Sequence, residues 1–286
     1  MFVRLFFCLF LLLPGLAVGD DRIATLEETA LHRNNLQPNL KQHSCRISFD
    51  NLDALARTAR LPAGSPLPEV PSLARHWQSN RQELVTTINT QPTQAERILL
   101  ETLAQILRSG LDDALIPEGL TEQRQKIAAQ ATVKTAETQL GQTLLKRIEF
   151  TFDTPATLQE AFYTQHIPLP QDQISSLYFD VDVSNHTIQE VGLRTAEGLT
   201  LTLEMRYQEV PGGHLPARMK ITSPDGQIDD LIEVTYETVE GFDLPAKLSR
   251  VINRPGQQET LVITFDNYRI NQPFPVTVQK QFGLLQ

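Results

Sequence analysis

The chain has 286 residues but only two cysteines, one tryptophan and three methionines, and aromatic residues make up 7% of it. Cys8 lies in an apolar N-terminal stretch, which leaves Cys45 alone in the remainder. A lone thiol excludes a disulfide framework and a thiolate metal site, so stability has to come from packing. Cys45 itself is expected to be buried as a small hydrophobe. Basic runs are also lacking: 25 Lys and Arg face 34 Asp and Glu, a net charge of −9 at pH 7. Nucleic-acid binding depends on neutralising phosphates, so nucleic acid is excluded as a partner and an anionic membrane surface is disfavoured. There is no G-x-S-x-G, P-loop or dinucleotide fingerprint. The histidines (His32, His43, His76, His166, His186 and His214) show no metal spacing. His43 and Cys45 have no visible third group to orient them as base and nucleophile. No catalytic residue, metal site or cofactor is therefore assigned.

Long apolar runs are confined to the start, MFVRLFFCLFLLLPGLAVGD. Arg4, the apolar stretch Leu5 to Leu13 and the small residues Ala17 and Gly19 predict a signal peptide over 1–19, cut after Gly19. The stretch is shorter than the roughly 20 residues a membrane span needs. Phe7 precedes Cys8 where a lipoprotein signal needs a small residue, so lipidation is not predicted. The expected product is exported, periplasmic or extracellular, with no transmembrane segment in the mature chain.

Residues 20–145 read as a mainly helical region. Asp50 or Asn51 caps a short helix over LDALARTAR, and Pro62, Pro66, Pro68 and Pro71 make residues 62–71 a Pro-rich loop. A helix is expected from Ser72 to Asn89. Thr93 and Glu96 form a capping box for another, with Leu99, Leu103, Ile106 and Leu107 as its apolar stripe and Gly110 at its end. A long polar helix is expected from Thr121 to Leu144.

From residue 146 the hydrophobic period changes to two, and 146–286 reads as an antiparallel β-meander domain. RIEFTFD is its first strand, after which Thr154 and Pro155 open a helix to about Thr164. LTLTLEMRYQ alternates Leu199, Leu201, Leu203, Met205 and Tyr207 against polar neighbours, as a strand with one dry and one wet face does. Asp180 and Asp182 alternate onto one face and need a cation or an Arg between them. The cluster Asp225, Asp229, Asp230 and Glu233 reads as solvated turn and strand positions.

YQEVPGGHLPARMKI (207–221) and YETVEGFDLPAKLSR (236–250) align without a gap at one offset, each a hairpin with glycine in its turn. The proline after Leu marks a position that needs no backbone N–H. Carried forward, FDNYRINQPFPVTV repeats the plan, with Pro275 opening a last strand, for about nine strands in all. The dry face so inferred holds Leu201, Leu203, Met205 and Tyr207 on one strand and Met219 on the next. Val234, Tyr236 and Leu248 continue it, with Leu215 and Leu244 also in the set. The fold class is α+β: a helical N-terminal part packed on a curved antiparallel meander, an open half-barrel.

An exported chain, a curved meander with helices against its hollow, and hairpins of the form Y-x-x-V-x-G-x-x-LPAK resemble the lipoprotein-carrier superfamily (LolA-like). The resemblance covers the C-terminal half, 146–286. It implies an apolar hollow that holds acyl chains, with a lipid or lipoprotein acyl chain as partner. The function expected first is a non-enzymatic exported protein binding a lipid or other apolar ligand in that hollow. The eight residues Leu201, Leu203, Met205, Tyr207, Met219, Val234, Tyr236 and Leu248 are its candidate lining. The alternative is a cell-envelope scaffold with a sealed core that binds an envelope protein, and an enzyme comes third.

Overall fold

Leu201, Leu203 and Met205 alternate with Thr202 and Glu204, and the alternation is realised as burial along the strand Thr200–Val210. That strand is one of twelve in a single antiparallel sheet. A computed structural model describes residues 21–34, 36–58, 61, 73–79, 82–87, 93–111, 121–157 and 173–284. The signal peptide read over 1–19 and the Pro-rich loop read over 62–71 lie outside them.

After a 3-10 turn at Asp21–Ile23 come α1 (Ala24–Asn34), β1 (Gln42–Phe49), α2 (Leu52–Thr58), β2 (Leu73–Gln78) and β3 (Gln82–Thr86). Then follow α3 (Gln94–Leu111), α4 (Thr121–Ala129), β4 (Ala131–Leu140), β5 (Thr143–Thr157), β6 (Gln173–Asp182) and β7 (Thr187–Thr195). The chain continues with β8 (Thr200–Val210), β9 (Gly213–Thr222), β10 (Asp229–Val239), β11 (Phe242–Arg254), β12 (Gln257–Ile270) and α5 (Val276–Gln281). The strand order is β3-β2-β1-β12-β11-β10-β9-β8-β7-β6-β5-β4. β4 to β12 form a continuous meander, and β1 extends it by pairing with β12. The sheet is open, with β3 and β4 as its edges.

Among the described residues the sheet thus has twelve strands where about nine were expected, and the helical part is smaller. The helix expected over Ser72–Asn89 is replaced, within the described residues, by β2 and β3. Arg75 and His76 are both buried although neighbours in a strand face opposite ways, so no alternation was visible there. The helix expected over Thr121–Leu144 ends at Ala129 and gives way to β4. β4 is an edge strand in which only Ala131 and Val133 pack on the core, while Lys134, Thr135, Ala136 and Glu137 are all exposed, so its dry face is too short to read. Its Ala, Lys, Glu and Gln favour helix, but pairing with β5 from Ala131↔Phe152 to Leu140↔Thr143 overrides that preference. Pro155 opens no helix. It lies in β5 where the register to β6 shifts between Thr151 and Ala156, a place where no ladder N–H is needed. The strand expected after Pro275 is α5, because Phe274, Val278 and Phe282 recur every four residues and pack together.

Other local readings are realised. Asn51 Oδ1 accepts from the Ala54 N–H and caps α2. The capping box of α3 is closed in both directions: Glu96 N–H donates to Thr93 Oγ1 at 3.2 Å, and Thr93 N–H to Glu96 Oε2 at 2.6 Å. α3 runs on to Leu111, one residue past the glycine expected to end it.

The doubled phrase is a bulge. Arg206 pairs with Arg218 but Tyr207 with Pro216, leaving Ala217 unmatched. Thr235 pairs with Lys247 but Tyr236 with Pro245, leaving Ala246 unmatched. Each proline sits where the ladder is already broken, and each bulge bends its strand. Tyrosine hydroxyls then tie neighbouring hairpins together. Tyr236 donates to the Pro216 carbonyl and Tyr268 to that of Pro245, while Tyr207 donates to Ile188 on β7. The bulge also corrects the inferred face. Leu215 pairs with Gln208 and Leu244 with Glu237, so both fall out of phase with Tyr207 and Tyr236. Leu244 packs instead in a separate cluster with Leu40 and Ile270.

Candidate functional site

The candidate site is the dry face of the sheet. Register builds it row by row. Met205 lies opposite Met219, which lies opposite Ile232, while Val234 lies opposite Leu248 and Leu248 opposite Ile263. Leu203 faces Val191 on one side and Ile221 on the other. Six of the eight candidates (Leu201, Leu203, Met205, Met219, Val234 and Leu248) are no more than 6% exposed and belong to one apolar cluster. Tyr207 and Tyr236 pack half-buried at its margin, their rings on the cluster and their hydroxyls on the carbonyls just named.

The cover comes from the helices. Leu99, Leu103, Ile106 and Leu107 of α3 enter the same cluster, with Leu26 of α1, Leu55 of α2 and Ile127 of α4. The spacing of the α3 side chains places them on one stripe of that helix. A closed cover of this kind can do two things: fill a core permanently, or yield its place to another apolar body.

Charge inside this face was missed at the sequence level. Asp230 is 0% exposed, in phase with Ile232 and Val234, and its Oδ2 lies 4.0 Å from Nη2 of the buried Arg250, itself in phase with Leu248. The reading of Asp230 as solvated is therefore corrected; its alternation with Ile232 and Val234 was the available signal. Arg75 is buried in phase with Leu73, its guanidinium 5.9 Å from the Phe265 ring centre. Nearby, His43 stacks on Trp77 at 5.2 Å and meets the edge of Tyr268 at 5.4 Å. Burial first, then the charges of Arg75 and His76, holds the His43 imidazole well below its ordinary value and so neutral. His76 is bonded on both nitrogens, to the Ser44 hydroxyl at 2.9 Å and the Thr86 hydroxyl at 3.0 Å, and burial lowers it to about 4. Burial also pushes the Tyr268 phenol up.

On the opposite face Asp180 and Asp182 are buried, where solvated positions were expected, and Asp180 has its cation. Arg147 donates to Asp180 through Nε at 2.7 Å and Nη2 at 2.6 Å, and its guanidinium lies 3.9 Å from the Tyr178 ring centre. The Tyr178 ring lies in turn over Gly192, where any Cβ would collide with it. Asp182 accepts from the backbone N–H and hydroxyl of Ser184.

No protein-family model and no curated protein sequence matches the chain. Among solved structures it is similar to an outer membrane lipoprotein-sorting protein domain from Vibrio parahaemolyticus, at 7% identity and a TM-score of 0.34, over 90% of this chain and 97% of that one. It is similar to a DUF1329 family protein from Desulfovibrio piger at 10% identity and a TM-score of 0.32, over 93% of this chain and all of that one. A LolA superfamily protein from Nitrosomonas europaea matches at 7% identity and a TM-score of 0.32, over 88% of this chain and 96% of that one.

Proposed function

We propose that the protein is an exported, non-enzymatic carrier that binds a lipid or other apolar ligand between the dry face of its curved sheet and the helices over it. One observation carries the reading: the sheet is open, and its apolar face is covered by separate helices. Magnitudes make an exchange of cover feasible. Four buried aliphatic side chains on the α3 stripe contribute about 6–12 kcal/mol at about 1.5–3 each. An alkyl chain of about 16 methylenes, at about 0.8 kcal/mol each, gains about 13 kcal/mol on burial. One long chain therefore competes with the α3 stripe on similar terms, and α3 is the part that moves aside. The apolar end of the ligand lies along Leu203, Met205, Met219 and Leu248, and release follows when α3 closes again.

The second reading, a cell-envelope scaffold with a sealed core, is favoured by the very low exposure of those same side chains. The two separate in one experiment. The exported protein is purified, extracted with organic solvent and analysed by mass spectrometry, and the delipidated protein is titrated with a fluorescent fatty acid. A carrier gives co-purified lipid or saturable binding; absence of both leaves the scaffold.

A further inference from the structure

We infer that the C-terminal turn of α1 is held over two hairpin tips by a proton-sensitive latch of three histidines, His32, His186 and His214, which acid opens. The residues come from three elements: α1, the turn between β6 and β7, and the start of β9. The His32 and His186 rings stack with centres 5.1 Å apart and planes 29° from parallel. β9 approaches from below through Gly213, where a Cβ would lie 3.0 Å from His32 Nε2 and 2.7 Å from Leu36 Cδ1. His32 Nε2, His186 Nδ1 and His214 Nδ1 are all buried and without a hydrogen-bond partner.

A protonated His32 ring carries N–H on both nitrogens, so the added proton at Nε2 would be a buried donor with no acceptor. The charges that bear on His32 are those of His186 and His214, and both act, after burial, to lower its affinity for a proton. Of the carboxylates on the same elements, Asp182 is engaged by Ser184, while Glu209 lies directly opposite His214 on the β8–β9 ladder and is the one that faces that ring. On α1 itself, Glu28 stands one turn before His32 on the same helix face and Arg33 follows it, and burial of the ring remains the largest influence on His32. His32 in the docked helix thus lies below its ordinary 6.5, and the docked state binds fewer protons than the released one. Docking is therefore strongest above that value and is lost as pH falls below it. Among the described residues no group of three or more His, Cys, Asp or Glu is placed to hold a metal ion. Opening the latch frees the helix that buries Leu26 and Ala30.

The inference does not rest on the carrier reading, and its test uses no ligand. Amide hydrogen exchange is measured on the exported protein at about pH 5 and about pH 8, corrected for intrinsic rates, with β8 as the reference for global opening. Protection of residues 24–34 is expected to fall several-fold more than that of β8 at the acidic pH. In the triple variant His32→Gln, His186→Gln, His214→Gln the extra loss is expected to vanish. Equal losses in α1 and β8, or an extra loss that persists in the variant, overturn the latch. Should the variant not fold, the wild-type imidazoles are titrated by NMR: a His32 midpoint below 6.5 supports the latch, and one at or above 6.5 overturns it.

Discussion

Tyr236→Phe removes one oxygen and tests what the doubled phrase is for. The Tyr236 hydroxyl donates to the Pro216 carbonyl at 2.7 Å, joining β10 to the bulge of the preceding hairpin. The ring packs on the apolar cluster and stays in place in the variant. A hydrogen bond of this kind contributes about 0.5–1.5 kcal/mol net, and an acceptor left buried without a donor costs about 1–3 kcal/mol. Tyr236 and Pro216 are both half-buried, so water partly replaces the donor, and the expected loss is about 1–2 kcal/mol. Urea unfolding at neutral pH reads this as a lower midpoint at unchanged slope. Tyr268→Phe, whose donor serves Pro245, is expected to do the same. If Tyr236→Phe changes stability by less than about 0.5 kcal/mol, the size of an ordinary surface substitution, the hydroxyl ties do not hold the hairpins and the argument from the repeat fails.

Further outcomes follow from other contacts. Asp230→Ala leaves Arg250 buried without its carboxylate and should cost about 3–5 kcal/mol by urea unfolding, while the double change Asp230→Leu, Arg250→Met costs much less. Gly192→Ala drives the Tyr178 ring off its seat; the stack on Arg147 is expected to break, seen as a shifted Tyr178 ring resonance and a loss of stability, and an unmoved ring contradicts the geometry. His76 has its ordinary value of 6.5 lowered to about 4 by burial, so the folded state binds fewer protons than the unfolded one across that window. Stability is therefore full above 6.5 and falls between 6.5 and about 4, by about 3 kcal/mol, and His76→Gln should flatten that part of the stability–pH curve.

Much of this architecture was legible because burial follows period. β8 alternates from Leu201 to Tyr207, and its apolar members there are buried or half-buried. α3 announces itself twice, by its capping box and by its stripe. What was illegible had a physical cause in each case. β4 carries helix-favouring residues with a dry face of only Ala131 and Val133, and its partner β5 makes it a strand. β2 buries side chains on both faces and shows no alternation. In the candidate site, a strand pattern could place Leu203 and Met205 side by side but could not foresee that Ala217 and Ala246 are unmatched, which puts Leu215 and Leu244 out of phase. The histidines at 32, 186 and 214 meet only because α1 crosses two hairpin tips, a juxtaposition that no local spacing encodes.

The carrier reading places an apolar ligand between α3 and the sheet. A photoactivatable fatty acid, cross-linked to the delipidated protein and mapped by mass spectrometry, addresses it directly. Labels are expected on β8, β9 and β11 around Leu203, Met219 and Leu248 and on the apolar stripe of α3, with competition by unlabelled fatty acid. Labels confined to the wet face, or no label that unlabelled fatty acid displaces, would contradict it.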